Sequence, residues 1–385
     1  MAAPLPTPDS EALAHSRQLV QLIRSEIETC GNWIDFARYM HLALYSPGLG
    51  YYAGGAKKFG TAGDFVTAPE MSPLFGQTLA RQAAQVLQQT QGSLLELGAG
   101  TGKLGAQLLL ELQKLDVLPE RYLILEVSAQ LREVQRQTLQ EMLPAELLSR
   151  VQWLECLPES FKGLVLANEV PDVLPVHIVQ ADGVELQELG VTCEGEELRW
   201  EPRRANSSAL NENTAVMNLP TGYRTEICLA AGGLLASLAQ ALGQSVVLLI
   251  DYGFPRHEYY HAQRNEGTLM CHYRHHAHGD PFLYPGLQDI TAHVDFTSVA
   301  EAGVANGLQL LGYCSQAQFL INCGITGLLQ QISPSDMTAY ADVAAQAQKL
   351  LSPAEMGELF KVIALGKDFP EPLIGFTQGD KRHKL

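Results

Sequence analysis

The sequence predicts an α/β protein built on a doubly wound, mostly parallel sheet. From Ser93 onward, short runs rich in Leu, Ile and Val alternate with segments of helical spacing. The runs "SLLELG", "RYLILEVS", "GLVLANEV" and "SVVLLIDYG" are nearly continuous in apolar character, as strands buried on both faces require. Repeated strand–helix–strand order implies parallel pairing with helices on the faces.

The elements follow in order. Residues 1–10 are Pro-rich and read as a loose tail, and 11–45 are helical, with apolar spacing at Leu19, Leu22, Ile23, Ile27, Phe36, Met40 and Leu44. "YSPGLGYYAGGAKKFGTAGDFVTAPEMSPLFG" has too many glycines and prolines for a regular element, while its aromatics oppose disorder, so it reads as a functional loop. A helix over roughly 73–90 follows. Residues 1–92 therefore form an N-terminal helical region, and 93–385 the sheet domain. In that domain a strand at "SLLELG" leads to a helix over 103–115. "RYLILEVS" leads to a helix over 129–142 with Ser128 as its N-cap, and "RVQWLE" and "GLVLANEV" are two further strands. An insertion at about 176–224 reads as a small antiparallel addition ("VHIVQ", "VELQELGVTC", "ELRWEP") followed by a polar loop over 203–224. A helix over 225–242 leads into a fifth strand, "SVVLLIDYG". The second insertion, about 253–295, reads as a long connection rich in His, Tyr, Pro and Gly. A helix at "FTSVAEAGVANG", a strand at "LQLLGYCS", mostly helix over 315–358 and a last strand at "FKVIALGK" complete the chain.

Composition excludes several classes. The formal net charge of −16 disfavours general nucleic-acid binding, which needs Lys and Arg to neutralise phosphates. The seven cysteines are scattered without a C-x-x-C, as expected of reduced thiols. The N-terminus lacks a basic start followed by an apolar block, and Asp9 and Glu11 precede its first Arg. Neither a signal peptide nor a mitochondrial transit peptide is expected, which predicts a cytoplasmic protein. No apolar run approaches the ~20 residues a membrane span needs.

The stretch "LELGAGTGKLG" carries the chemistry. A P-loop reading fails, because Leu104 stands where a Ser or Thr would reach magnesium and Leu97 where the first glycine belongs. A dinucleotide reading finds Gly100-x-Gly102-x-x-Gly105, but the first glycine should follow the strand directly. In that register the turn residue is Gly98, and Lys103 stands where the third glycine should be. S-adenosylmethionine fits better. Its methionyl ammonium calls for an acceptor, and Glu96 near the strand end supplies one, directly or through water. Gly98, Gly100 and Gly102 let the chain pass the methionyl part closely. Glu126, ending the next strand, is placed to accept the two ribose hydroxyls. The alternative is a plain strand-to-helix turn with two surface carboxylates. "VLANEVPDVLP" ends the fourth strand, and ligands of open α/β sheets lie outside the carboxyl ends of strands. Asn168, Glu169 and Asp172 therefore point toward the transferred methyl and suit an incoming amine or guanidinium. The bland alternative has Asn168 and Asp172 capping the strand end and the turn.

Other features read less sharply. Six of the eleven histidines fall between His257 and His278, but their spacing matches no standard zinc site, and methyl transfer needs no metal. His293 and Asp295 are either substrate contacts or a helix-capping arrangement, and Asp251 and Tyr252 sit at the tip of the fifth strand. Trp33, Tyr51 and Tyr52 read as packing residues.

With these residues in view, the chain resembles the MidA family of class I methyltransferases from about residue 20 to the end. The most specific blocks are "GDFVTAPEMSPLFG", "LLELGAGTGKL", "LEVSAQLREVQ", "LANEVPDVLPV", "IDYG" and "PGLQDITAHVDF". The resemblance implies a seven-stranded, Rossmann-like class I sheet and S-adenosyl-L-methionine as cofactor. It implies a cofactor pocket of Glu96, Gly98, Ala99, Gly100, Gly102 and Glu126, with Gly63, Asp64 and Phe65 closing over cofactor or substrate. It places Asn168 and Glu169 at the reaction end and implies a protein substrate methylated on an arginine nitrogen. Family members often carry Pro at the position of Ala99, and aromatics where this chain has Val170 and Pro171, which bears on the acceptor pocket. Two rival functions stay open: a cofactor-binding assembly protein with little turnover, and a small-molecule methyltransferase.

Overall fold

A computed structural model describes residues 5–54, 67–183, 185–215, 217, 219–331, 337–370 and 372–385. The chain divides into two compact units. One comprises Met1–Phe65, Asp172–Gly233 and Arg256–Val294; the other comprises Val66–Pro171, Leu234–Pro255 and Asp295–Leu385. Both insertions thus group with N-terminal residues, and the helix over 73–90 groups with the sheet.

The second unit holds the main sheet, with strands β1 (Ser93–Leu97), β2 (Tyr122–Leu125), β3 (Val151–Leu154), β4 (Phe161–Asn168), β5 (Leu242–Phe254), β6 (Gln309–Ser315) and β7 (Phe360–Lys367). The main path across the sheet is β6-β7-β5-β4-β1-β2-β3. Pairs β5–β4, β4–β1, β1–β2 and β2–β3 are parallel, whereas β7 runs antiparallel to both β5 and β6, so the sheet is mixed. Leu94 to Leu97, Leu164 to Ala167 and Val246 to Ile250 are buried throughout, which accounts for their lack of polar alternation. Helices α1 (Pro73–Thr90), α2 (Lys103–Lys114) and α3 (Ala129–Met142) contribute Leu79, Ala83, Leu108, Leu112 and Leu139 to the core of this unit. Ser72 and Ser128 cap α1 and α3 through their side chains. β1 follows α1 after Gln91 and Gly92, and a Cβ on Gly92 would lie 2.1 Å from the Lys162 carbonyl oxygen.

In the first unit, helices Ser10–Thr29 and Phe36–Tyr45 bury Leu19, Ile23, Ile27, Phe36, Tyr39 and Met40 together with Ile178, Leu189 and Val191 of an antiparallel sheet. In that sheet Leu186–Glu194 pairs with His177–Ala181, with Glu197–Arg204 and with the two-residue strand Ile34–Asp35. Trp33 donates its indole N–H to the Glu201 carbonyl, and Tyr51 is buried.

Three local expectations need correction. The 203–224 stretch contains a helix, Ser208–Ala215, within what reads as a polar loop. The expected 225–242 helix starts only at Leu229, because Arg224–Ile227 is a strand paired with His177–Ala181. There Thr225 and Glu226 are buried, so their polarity does not mark an exposed turn. Residues 253–295 are more than a connection: Met270–Tyr273, His276–His278 and Asp289–Thr291 form a small antiparallel sheet. No helix among the described residues is long and apolar enough to cross a membrane.

Candidate active site

The strand order reverses direction between β1 and β4, the kind of topological switch point outside whose carboxyl ends ligands of open α/β sheets lie. Both ends are built for close approach. After β1 the chain turns through Gly98 (φ 61°), Gly100 (φ 53°) and Gly102 (φ 86°), all in the left-handed region that a side chain would strain. A Cβ on Gly98 would stand 2.9 Å from Val170 Cγ2, so the β1 turn and the end of β4 lie against each other. Ala99 between them is buried. Gly102 is also the N-cap of α2, with no side-chain cap. The first-turn N–H groups of α2 therefore receive no capping oxygen from that position.

Glu96 lies one residue before the end of β1 and is only 3% exposed. The Tyr122 hydroxyl donates to its Oε2 at 2.6 Å. Burial pushes the Glu96 carboxyl up to about 7; the Tyr122 hydrogen bond opposes this and the Glu126 charge adds to it. Gly105 explains how Tyr122 reaches this position. A Cβ there would come within 3.0 Å of the phenol ring and hydroxyl. The third glycine of the apparent dinucleotide pattern therefore makes room for a tyrosine.

Glu126 follows β2 and is buried. Its Oε1 accepts the Ser128 N–H at 2.9 Å and its Oε2 accepts from Gln135 Nε2 at 3.0 Å. Burial raises this carboxyl above its ordinary value, against those two hydrogen bonds. A carboxylate offers about four acceptor positions, so these bonds leave acceptor capacity for a ribose diol. Gln135 itself is a residue that sequence reasoning missed. Its Nε2 also lies 3.1 Å from the Gly100 carbonyl, and its Oε1 accepts the Trp153 indole N–H at 2.9 Å. One buried amide thus ties the glycine turn to the acidic residue on the neighbouring strand.

Glu70 is a second missed residue. It lies in the short helix Ala68–Met71, which follows the Gly-rich loop, and its side chain is 7% exposed. It accepts from the Thr101 hydroxyl and, at 2.5 Å, from Lys103 Nζ. Both partners belong to the glycine turn and the start of α2.

At the end of β4, Asn168 donates from Nδ2 to Glu169 Oε1 at 3.1 Å. Its Oδ1 is buried with no hydrogen-bond partner among the described residues. Glu169 has φ 54°, an uncommon conformation for a residue with a side chain, and its N–H donates to the Ile250 carbonyl at 2.9 Å. Strain of this kind concentrates where geometry matters to function. The structure thus brings Glu96, Gly98, Ala99, Gly100, Gly102, Glu126, Asn168 and Glu169 into one unit. Asp172 belongs to the other unit, buried, with its carbonyl accepting the Ala292 N–H. Gly63, Asp64 and Phe65 lie outside the described residues.

The remaining candidates resolve individually. Asp295 caps helix Phe296–Ala305 by accepting from Thr297 and Ser298 N–H groups. Asp251 is fully buried and accepts the Tyr252 N–H. Among the described residues, Asp35, His177 and Glu188 of the first unit bring one metal-ligand atom each within 4.8 Å. His177 pairs with Glu188 at 2.7 Å and Asp35 caps helix Phe36–Tyr45, roles that need no ion.

Comparison with known proteins identifies the family. A family described as "Putative S-adenosyl-L-methionine-dependent methyltransferase" matches residues 78–314, more than half of the chain. The chain belongs to this family. It is a methyltransferase that depends on S-adenosyl-L-methionine. A Burkholderia thailandensis protein crystallised with S-adenosyl-homocysteine is 49% identical, with a TM-score of 0.96 over 99% of this chain and 100% of that one. Two curated relatives bear the name "Protein arginine methyltransferase NDUFAF7, mitochondrial". The Danio rerio protein is 28% identical over 94% of this chain and 93% of its own length. The Mus musculus protein is 30% identical over 91% and 86% respectively. These names overturn the cytoplasmic expectation for this methyltransferase, since the curated relatives are mitochondrial.

Proposed function

We propose that this methyltransferase transfers a methyl group to a guanidinium nitrogen of a protein arginine. The observation that carries the reading is the end of β4, where a strained glutamate and an asparagine whose buried carbonyl oxygen has no partner among the described residues stand together beside the glycine turn. Two oxygen acceptors side by side suit a planar group rich in N–H donors. The relatives' name points to the same acceptor.

The residues present fit the cofactor. The glycine turn admits close backbone approach, Glu126 retains acceptor capacity for a diol, and the start of α2 has no side-chain cap. When bound, S-adenosyl-L-methionine supplies an electrophilic methyl on a sulfonium. The chain's own work is alignment and proton handling. Glu126 would fix the ribose and Glu96 the methionyl ammonium, while Asn168 Oδ1 and the Glu169 carboxylate would orient the guanidinium. Methylating a guanidinium conserves its charge and releases one proton, which Glu169 would accept. Gly63, Asp64 and Phe65 would, by the family resemblance, cover the site.

Incubation with methyl-labelled S-adenosylmethionine and a protein extract tests the reading. Label should enter the protein fraction and be recovered as methylarginine after hydrolysis. Label confined to small molecules would instead indicate a small-molecule methyltransferase, and absence of label together with a stable bound partner would indicate an assembly role. A Glu126→Ala variant should bind S-adenosylmethionine about 30-fold more weakly by calorimetry, at ~1 kcal/mol for each of two lost hydrogen bonds. Unchanged affinity would remove Glu126 from the pocket.

A further inference from the structure

We infer that Glu70 is a positioning residue that sets the cofactor site's preference for the sulfonium-bearing methyl donor over the spent product, which lacks that charge. The inference rests on the glycine turn being the cofactor loop. Lys103 is the first residue of α2, so its ammonium adds to the positive end of the helix dipole at the turn. S-adenosylmethionine carries a sulfonium cation that S-adenosylhomocysteine lacks; the two share the adenosine, the ammonium and the carboxylate. A positive helix start bearing a further uncompensated cation would therefore disfavour the substrate form relative to the product form. Glu70 compensates it. Its carboxylate is almost wholly buried, pairs with Lys103 Nζ at 2.5 Å and accepts from the Thr101 hydroxyl. Lys103 is 40% exposed, so its charge by itself would be partly solvated, whereas the buried carboxylate fixes where it sits. The pair also accounts for the "G-K" at Gly102 and Lys103: the lysine answers a glutamate from the "TAPEMSP" block, about thirty residues earlier in the chain.

The test compares two ligands in each of four proteins: wild type, Glu70→Gln, Lys103→Gln and the double variant. Calorimetry gives Kd for S-adenosylmethionine and for S-adenosylhomocysteine. The ratio of the two isolates the sulfonium, because every shared contact, and any loss of folded protein, cancels. Glutamine keeps an acceptor for Thr101 and removes the charge. One unit charge in such a site, at an effective dielectric of ~20, changes the ratio by an amount on the order of tenfold. Glu70→Gln should raise Kd(S-adenosylmethionine)/Kd(S-adenosylhomocysteine) by about three- to tenfold. Lys103→Gln should lower it, the double variant should return it near the wild-type value, and added salt should shrink all three shifts. A ratio unchanged in Glu70→Gln, with both affinities falling together, would make Glu70 a purely structural latch and overturn the inference. Failure of the wild type to bind either ligand would instead overturn the reading of the glycine turn, and the inference with it.

Discussion

Glu169→Gln should lower kcat for methyl transfer by about 1,000-fold while leaving the Kd for S-adenosylmethionine within about threefold of wild type. The two effects separate because of where Glu169 sits. It follows β4, on the acceptor side of the proposed site, and its backbone is fixed by the N–H donated to Ile250. Glutamine at φ 54° costs the backbone no more than glutamate, and its amide oxygen still accepts from Asn168 Nδ2, so the turn should survive. What disappears is a negative charge to hold the guanidinium and a base for the proton released on methylation. A positioned base contributes about 10²–10⁴ in rate, and an arginine guanidinium, with a pKa above 12, does not lose its proton beforehand. Single-turnover kinetics with a methylarginine readout checks this. A variant within fivefold of the wild-type kcat would exclude Glu169 as the base.

Glu96→Gln should stabilise the cofactor-free protein at pH 8 by about 3 kcal/mol and at the same time weaken cofactor binding. Burial raises the Glu96 pKa from 4.5 to about 7, and each pKa unit corresponds to about 1.4 kcal/mol. The folded state therefore holds this proton more tightly than the unfolded chain. The Glu96 contribution to stability is greatest below about pH 4.5, declines as pH rises to about 7, and stays at its least favourable value above that. Glutamine removes the titration and still accepts from the Tyr122 hydroxyl. Urea unfolding at pH 8 and at pH 5 provides the comparison: the gain should be about 3 kcal/mol at the first and fall to about 1 kcal/mol at the second. Equal gains at both would contradict the assignment of the shift to Glu96. With the expected pH-dependent gain and weaker cofactor binding, the wild-type residue is a case of stability given up for a ligand contact.

What was readable in the sequence follows from which interactions are local. β1, β4 and β5 stood out because burial on both faces leaves no polar alternation, as at Val246 to Ile250, and β2 because its four residues are all apolar although Leu123 and Leu125 are only half-buried. The glycine turn was readable because register against a strand is a short-range property. The strand Arg224–Ile227 was hidden because buried Thr225 and Glu226 look like surface residues; Glu226 is satisfied by Thr268, Leu269 and Tyr259, some forty residues away. Helix Ser208–Ala215 was hidden because "SALNENTA" has almost no apolar face. Gln135 and Glu70 were invisible for the same reason as Glu226. Gln135 resembles any polar helix residue until Gly100, Glu126 and Trp153 are seen around it. The position of Asp172 in the other unit was likewise beyond what spacing can tell, whereas the helix-capping alternative for Asp295 was legible, because a cap is a local arrangement.

The missing side chain of Gly105 acts at a distance. The absent methyl group leaves the volume into which the Tyr122 ring fits, and the seated ring carries its hydroxyl to Glu96. An alanine there would displace a phenol, and the displaced phenol would leave a buried carboxylate without its donor. The protonation of Glu96 is thus governed in part by an empty space nine residues further along the chain, in a helix that never touches the proton.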